Sequence, residues 1–125
     1  MDKINCDVFI PVRLNSSRLP KKHLQFLNGK PALQHIVERL DNCKEIRDIV
    51  VCCTINSSDD ELVNFLQKNK IKFFRGSEKD ILQRFLDAAK KFDTDIIIDV
   101  EGDKIYTDPH YVDQIAHKLK ISNID

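Results

Sequence analysis

Four times along this chain a short apolar, β-rich run is followed by a segment whose apolar residues recur at helical spacing. That alternation restricts the fold more than any other feature. Residues 6–12 (CDVFIPV), 48–54 (DIVVCCT), 71–74 (IKFF) and 95–100 (DIIIDV) read as strands. After the first strand, a long polar loop runs to Lys30, and Pro31 suits the first position of a helix. Leu33, Ile36, Val37 and Leu40 then lie on one face of that helix. Ser58 and Glu61 have capping-box spacing ahead of Leu62, Phe65 and Leu66. Ser77 can cap a third helix facing inward through Ile81, Leu82, Phe85, Leu86 and Ala89. Asp108-Pro109 starts a fourth, with Val112, Ile115 and Leu119 inward. Repeated strand–helix units predict an α/β fold with a mostly parallel sheet between two helical layers. Strands that are apolar on both sides agree, because such strands are covered on both faces. The length of 125 residues fits one domain, 1–125. The final KLKISNID leaves a helix without a closing strand, which fits both a frayed natural end and a longer fold cut short.

Composition removes several classes. With 42% apolar and 32% charged residues the chain is globular rather than disordered. Twenty basic and twenty acidic residues cancel, so bulk charge gives no support to nucleic-acid binding. Cys6, Cys43, Cys52 and Cys53 form no CxxC pair and are expected as free thiols, mostly buried, in a reducing compartment. Residues 1–5 are charged and no signal-type apolar segment follows, and no run reaches the ~20 residues of a membrane span. A cytoplasmic protein with no membrane or nucleic-acid partner is the expectation.

Charge is distributed unevenly at two strand ends. Residues 8–37 contain no acid, yet they hold Arg13, Arg18, Lys21, Lys22 and Lys30. A polyanion would explain the bias: arginine forks grip phosphate oxygens, lysines add point charges, and main-chain N–H groups of a serine-rich turn add donors. A solvated basic loop is the plainer reading, although the rigid, apolar Leu19-Pro20 pair argues against mere floppiness. The fourth strand leads into the opposite sign: Asp93, Asp95, Asp99, Glu101, Asp103 and Asp108, opposed only by Lys104. Gly102 permits a sharp turn there, and Asp103 is either a turn residue or a carboxylate for Mg²⁺. Asp108 fits a helix cap.

Three glycines, Gly29, Gly76 and Gly102, cannot spell GxGxxG or GxxxxGK[ST], so neither a dinucleotide-binding fingerprint nor a P-loop is present. No His/Cys group has zinc spacing. His23, His35, His110 and His117 are scattered, and each reads as a surface or packing residue.

The stretch FIPVRLNSSRLPKKHLQFLNGKPALQHIVERL resembles the opening of the cytidylyltransferases that activate acidic sugars, such as the acylneuraminate and 3-deoxy-manno-octulosonate enzymes. FRGSEKDILQRFLDAAKKF looks like the spore-coat polysaccharide F-type branch of that family, and VEGDKIYTDPHYVDQI resembles its G-D-x-P-L-I-D-P segment. The likeness covers nearly all of this chain but only about the first half of a typical member. It implies a Rossmann-like nucleotidyltransferase fold, here its N-terminal portion. It also implies transfer of a nucleoside monophosphate from a triphosphate, CTP favoured, to a sugar or sugar acid for surface-polysaccharide or glycan synthesis, with Mg²⁺ and release of pyrophosphate. Arg13, Ser16, Arg18 and Lys22 match the triphosphate loop, with Arg13, Arg18 and Lys22 as the catalytic cations. Pro11, Val12, Asn15 and Ser17 complete that segment. Arg75 and Asp80 match nucleotide-binding positions of the second block, and Asp103 matches the metal-binding aspartate. Members often form homodimers.

The chain also departs from the family pattern. Asn15 and Lys21 stand where glycines are common, and Lys104-Ile105-Tyr106-Thr107 follows Gly102-Asp103 in place of the usual residues. A non-catalytic nucleotide- or sugar-nucleotide-binding module, or a truncated inactive homologue, is the alternative, which Lys104-Ile105 and the early stop favour.

Overall fold

The computed structural model describes residues 3–14, 26–27, 29–101 and 108–122. Its strands are β1 (Cys6–Pro11), β2 (Phe26–Leu27), β3 (Lys30–Pro31), β4 (Ile49–Thr54), β5 (Lys72–Gly76) and β6 (Ile96–Asp99). The helices are α1 (Ala32–Leu40), α2 (Asp60–Lys68), α3 (Ile81–Phe92) and α4 (Pro109–Ser122), and a 3₁₀ turn, Ser57–Asp59, leads into α2.

Four strands pair in parallel in the order β5-β4-β1-β6. The chain steps outward from β1 to β4 to β5, then returns to the far side of β1 as β6. Layering follows from the side-chain alternation of the strands. Val8, Ile10, Val51, Cys53 and Ile98 point to one face, where they meet Leu33, Ile36 and Leu40 of α1, Leu62 and Leu66 of α2, and Val112 and Ala116 of α4. Phe9, Val50 and Cys52 point to the other face and meet Phe85 and Ala88 of α3. Phe9 and Phe85 contact edge to face, with ring centroids 5.5 Å apart. The expected three-layer α/β arrangement with a parallel sheet is therefore the observed one.

Local expectations needed correction at several points. The predicted long loop before α1 contains a two-residue antiparallel ladder, β2–β3, turned through Gly29 at φ +84°. Pro31 is not the first helical residue; it precedes Ala32 with φ −59° and ψ 145°. The Ser58–Glu61 capping box does not form. Asn56 accepts from the Ser58 N–H at 2.8 Å, and the buried Ser58 Oγ has no hydrogen-bond partner. Nor does Ser77 cap α3. That role belongs to Asp80, which accepts from the Gln83 N–H, while Ser77 Oγ accepts from the Asp80 N–H. The inward stripe of α3 is Arg84, Phe85 and Ala88, whereas Ile81, Leu82 and Leu86 are exposed. In α4, Val112 is buried as expected, but Leu119 is exposed and Ala116 takes the inner position.

At the amino ends of the strands, the wholly buried Asp7 accepts two bonds from Arg47, one from the Asp48 N–H and one from Thr94 Oγ1. A buried carboxylate persists only when its lone pairs are met, and here charged and neutral donors meet them.

Candidate functional site

Ligands of open α/β sheets sit beyond the carboxyl ends of the strands, where the strand order reverses. Here that place is the shared end of β1 and β6. Val12 N–H donates to the Cys52 carbonyl at 3.1 Å, and Leu14 N–H donates to Asp59 Oδ1 at 2.8 Å. The Val12 and Leu14 side chains are both buried, and Arg13 between them is exposed. Arg13 is thus presented to solvent from a backbone held on either side. Pro11, half-buried, closes β1 just before it.

Asp59 is the group that fixes the far side of this mount. It is completely buried, and its second oxygen accepts from the Thr54 N–H at 2.9 Å and from Thr54 Oγ1 at 2.6 Å. One carboxylate therefore joins the end of β4 to the first residues after β1. Sequence reasoning missed it, because Asp59-Asp60 looks like an ordinary acidic helix start and nothing local separates the buried member from the exposed one.

Arg84 was missed for a similar reason, since it occupies a position in α3 that an apolar stripe would be expected to skip. It is 2% exposed and donates to three main-chain carbonyls: Ser77 at 2.8 Å, Glu78 at 3.1 Å and Cys52 at 3.3 Å. Burial pulls its proton affinity below the ordinary arginine value, and the nearby Asp59 charge works in the other direction. Two of these carbonyls lie in the turn between β5 and α3 and one on β4, and the several donors of a guanidinium suit such a set.

Arg75 and Asp80 stand at the carboxyl end of β5, on the far side of β4 from β1. Arg75 donates to the Thr54 carbonyl at 2.8 Å, the Asn56 carbonyl at 2.9 Å and the Asp60 carboxylate at 2.9 Å. Its guanidinium is engaged in tying the β4–α2 connection to β5. Asp80 is exposed and caps α3. Asn56 crosses the same rim, with its amide 3.2 Å from both Glu78 carboxylate oxygens.

The acidic strand end lies beside the basic one. Asp99 is in register with Phe9, the Val100 N–H donates to the Phe9 carbonyl at 3.1 Å, and Asp99 and Glu101 are exposed. Asp108 accepts from the His110 N–H at 2.9 Å, in keeping with its expected place at the start of α4. Asn15, Ser16, Ser17, Arg18, Lys22 and Asp103 lie outside the described residues. Among those described, no three His, Cys, Asp or Glu side chains are grouped to hold a metal, and no helix is long and apolar enough to cross a membrane. All four cysteines are free; Cys6, Cys52 and Cys53 are buried and Cys43 is half-buried. Burial raises the Cys52 thiol to about 12 and the Cys53 thiol to about 11, which leaves neither prepared to act as a nucleophile.

Comparison with known proteins places this geometry in context. Residues 8–125 match the family pattern described as cytidylyltransferase. An uncharacterised protein of Methanocaldococcus jannaschii is 35% identical over 116 residues, which cover 93% of this chain and 48% of that protein. The 8-amino-3,8-dideoxy-manno-octulosonate cytidylyltransferase of Shewanella pealeana is 31% identical over 123 residues, covering 90% of this chain and 46% of the relative. A cytidylyltransferase structure from Leptospira borgpetersenii superposes with a TM-score of 0.91 at 31% identity, covering 98% of this chain and 51% of that one. A CMP:2-keto-3-deoxy-manno-octonic acid synthetase complexed with CTP shares the fold at TM-score 0.83 and 24% identity, over 96% of this chain and 49% of that one. The chain spans about half the length of the curated relatives it matches. With its sequence pattern matched almost throughout and its fold shared, the chain belongs to the cytidylyltransferase family.

Proposed function

We propose that this chain supplies the nucleotide-gripping part of an enzyme that transfers CMP from CTP to a sugar or sugar acid and releases pyrophosphate. The observation that carries the reading is the mounting of Arg13, exposed between two anchored, buried neighbours at the reversal of strand order and beside an acidic strand end. In the reaction a sugar oxygen forms a bond to the α-phosphorus as the bond to pyrophosphate breaks. The protein's task is to align these groups and neutralise the charge that develops on the leaving phosphates. Arg13, Arg18 and Lys22 are assigned to those phosphates, with Asn15, Ser16 and Ser17 in the same segment as further donors. Pro11 and Val12 set its entry. Arg75 and Asp80 are assigned to the nucleotide through the rim of β5, where Arg75 shapes the turn after β4.

Asp103, following the strand end that bears Asp99 and Glu101, is assigned to Mg²⁺. The carboxylates of this region are hard oxygen donors of the kind Mg²⁺ takes alongside substrate phosphates. When bound, the ion would supply positive charge to the reacting phosphate. A cytoplasmic setting, where CTP is made and thiols stay reduced, suits the four free cysteines.

CTP with Mg²⁺ is expected to raise the melting temperature. At tenfold above Kd the gain is about 1.4 kcal/mol, roughly 4–6 °C for a domain of this size. Arg18→Ala should remove most of that gain in the same thermal scan. The absence of any shift with all four nucleoside triphosphates at millimolar concentration would overturn the reading. Lys104, next to the proposed metal carboxylate, favours a second reading, a module that binds nucleotide without turnover. Pyrophosphate release with candidate sugar acids separates the two.

A further inference from the structure

We infer that Asp59 is a positioning residue for the nucleotide: its buried carboxylate sets where the basic segment leaves the sheet and so where Arg13 stands. This rests on the proposed nucleotide reading. The geometry is specific. Asp59 closes the 3₁₀ turn after β4, yet one of its oxygens reaches across to the Leu14 N–H at 2.8 Å, 45 residues earlier in the chain. The other oxygen is occupied by Thr54 through both its N–H and its hydroxyl. All three partners are donors, so the site calls for a group that only accepts. The side chain is 0% exposed, which makes each donor dependent on it, because no solvent is at hand to replace it.

Arg13 is held from its other side by the bond from the Val12 N–H to the Cys52 carbonyl, and the same carbonyl accepts from Arg84. Loss of the Asp59 anchor would leave the carboxyl side of Arg13 untied while the strand itself stayed paired. The expected consequence is displaced phosphate contacts within an intact fold.

Asp59→Asn is the informative substitution. The amide is nearly isosteric, but it turns one acceptor oxygen into a donor that faces Leu14 N–H or Thr54. Asp7→Asn is the control, since Asp7 is equally buried and also fully hydrogen-bonded, in its case to Arg47, Asp48 and Thr94, but lies at the amino ends of the strands. In the 125-residue chain, with folding checked by circular dichroism, titration with CTP and Mg²⁺ should show Kd weakened about tenfold or more by Asp59→Asn and little changed by Asp7→Asn. Amide hydrogen exchange without nucleotide should quicken at Leu14 and Thr54 in Asp59→Asn while Val8 and Val50 stay protected. Unchanged Leu14 exchange, wild-type CTP affinity in Asp59→Asn, or an equal loss in Asp7→Asn would each overturn the inference. If the unsubstituted protein took no CTP, the nucleotide reading would fall, and the exchange data would still decide whether Asp59 anchors Leu14.

Discussion

At the level of single residues, the carboxyl rim of the sheet is organised by arginines that bond to the main chain. Arg84 satisfies three carbonyls from inside the protein, and Arg75 satisfies two from its edge. Gly76 makes room for this arrangement. A Cβ there would lie 2.9 Å from Arg84 Cγ and 2.9 Å from Phe74 Cε2, so even alanine forces the buried arginine or the phenylalanine to move. Gly76→Ala should therefore destabilise the protein by about 1–3 kcal/mol, read as a lower urea midpoint. An unchanged midpoint would mean that the β5–α3 turn has slack the packing does not show.

Among the elements, the 3₁₀ turn before α2 offers a direct comparison. Asn56 accepts from the Ser58 N–H and reaches Glu78, whereas Ser58 Oγ is buried without a partner. Asn56→Ala should cost about 1 kcal/mol and Ser58→Ala close to nothing, the reverse of what S-x-x-E spacing suggests; thermal melts of the two variants decide it. Strands and helices were legible because burial on both sides of a strand, or on one side of a helix, leaves a periodic trace. Leu33, Ile36, Val37 and Leu40 illustrate this, since all four are buried. The caps before α2 and α3 were not legible because Ser, Asn and Asp compete for the same few N–H groups and the backbone path decides among them. Ser77 thus yielded to Asp80. The phase of α3 departs from its apolar spacing for a different reason: Arg84 uses the inward position to satisfy carbonyls, which leaves apolar Leu82 and Leu86 facing outward. Of the candidate site, Arg13 and its place at the end of β1 could be read from charge, whereas Asp59 and Arg84 act across long chain separations that leave no local signature.

For the molecule as a whole, its buried thiols set an alkaline limit. Burial raises Cys52 to about 12, and Cys53 and Cys43 each to about 11, from an ordinary value of 9.0. A folded value above the unfolded one means the folded state holds the proton more tightly. The stability due to these thiols is thus complete below pH 9 and declines as pH rises toward 11–12, by up to about 1.4 kcal/mol per thiol per pH unit. Melting temperature measured from pH 8 to 10.5 should fall, and Cys52→Ala should give a shallower slope. An identical slope would trace the loss to other groups.

The pairing of β1 with β6 has a temporal consequence. Arg13 follows β1 and Asp99 ends β6, strands far apart in sequence whose ends meet only when β6 docks beside β1, with Phe9 opposite Asp99. Contacts between such distant segments are slow to form, since much chain must be ordered before they bring any gain. A nucleotide held at this seam would act as a clasp on the slowest closure, lengthening the life of the folded state by hindering the departure of β6.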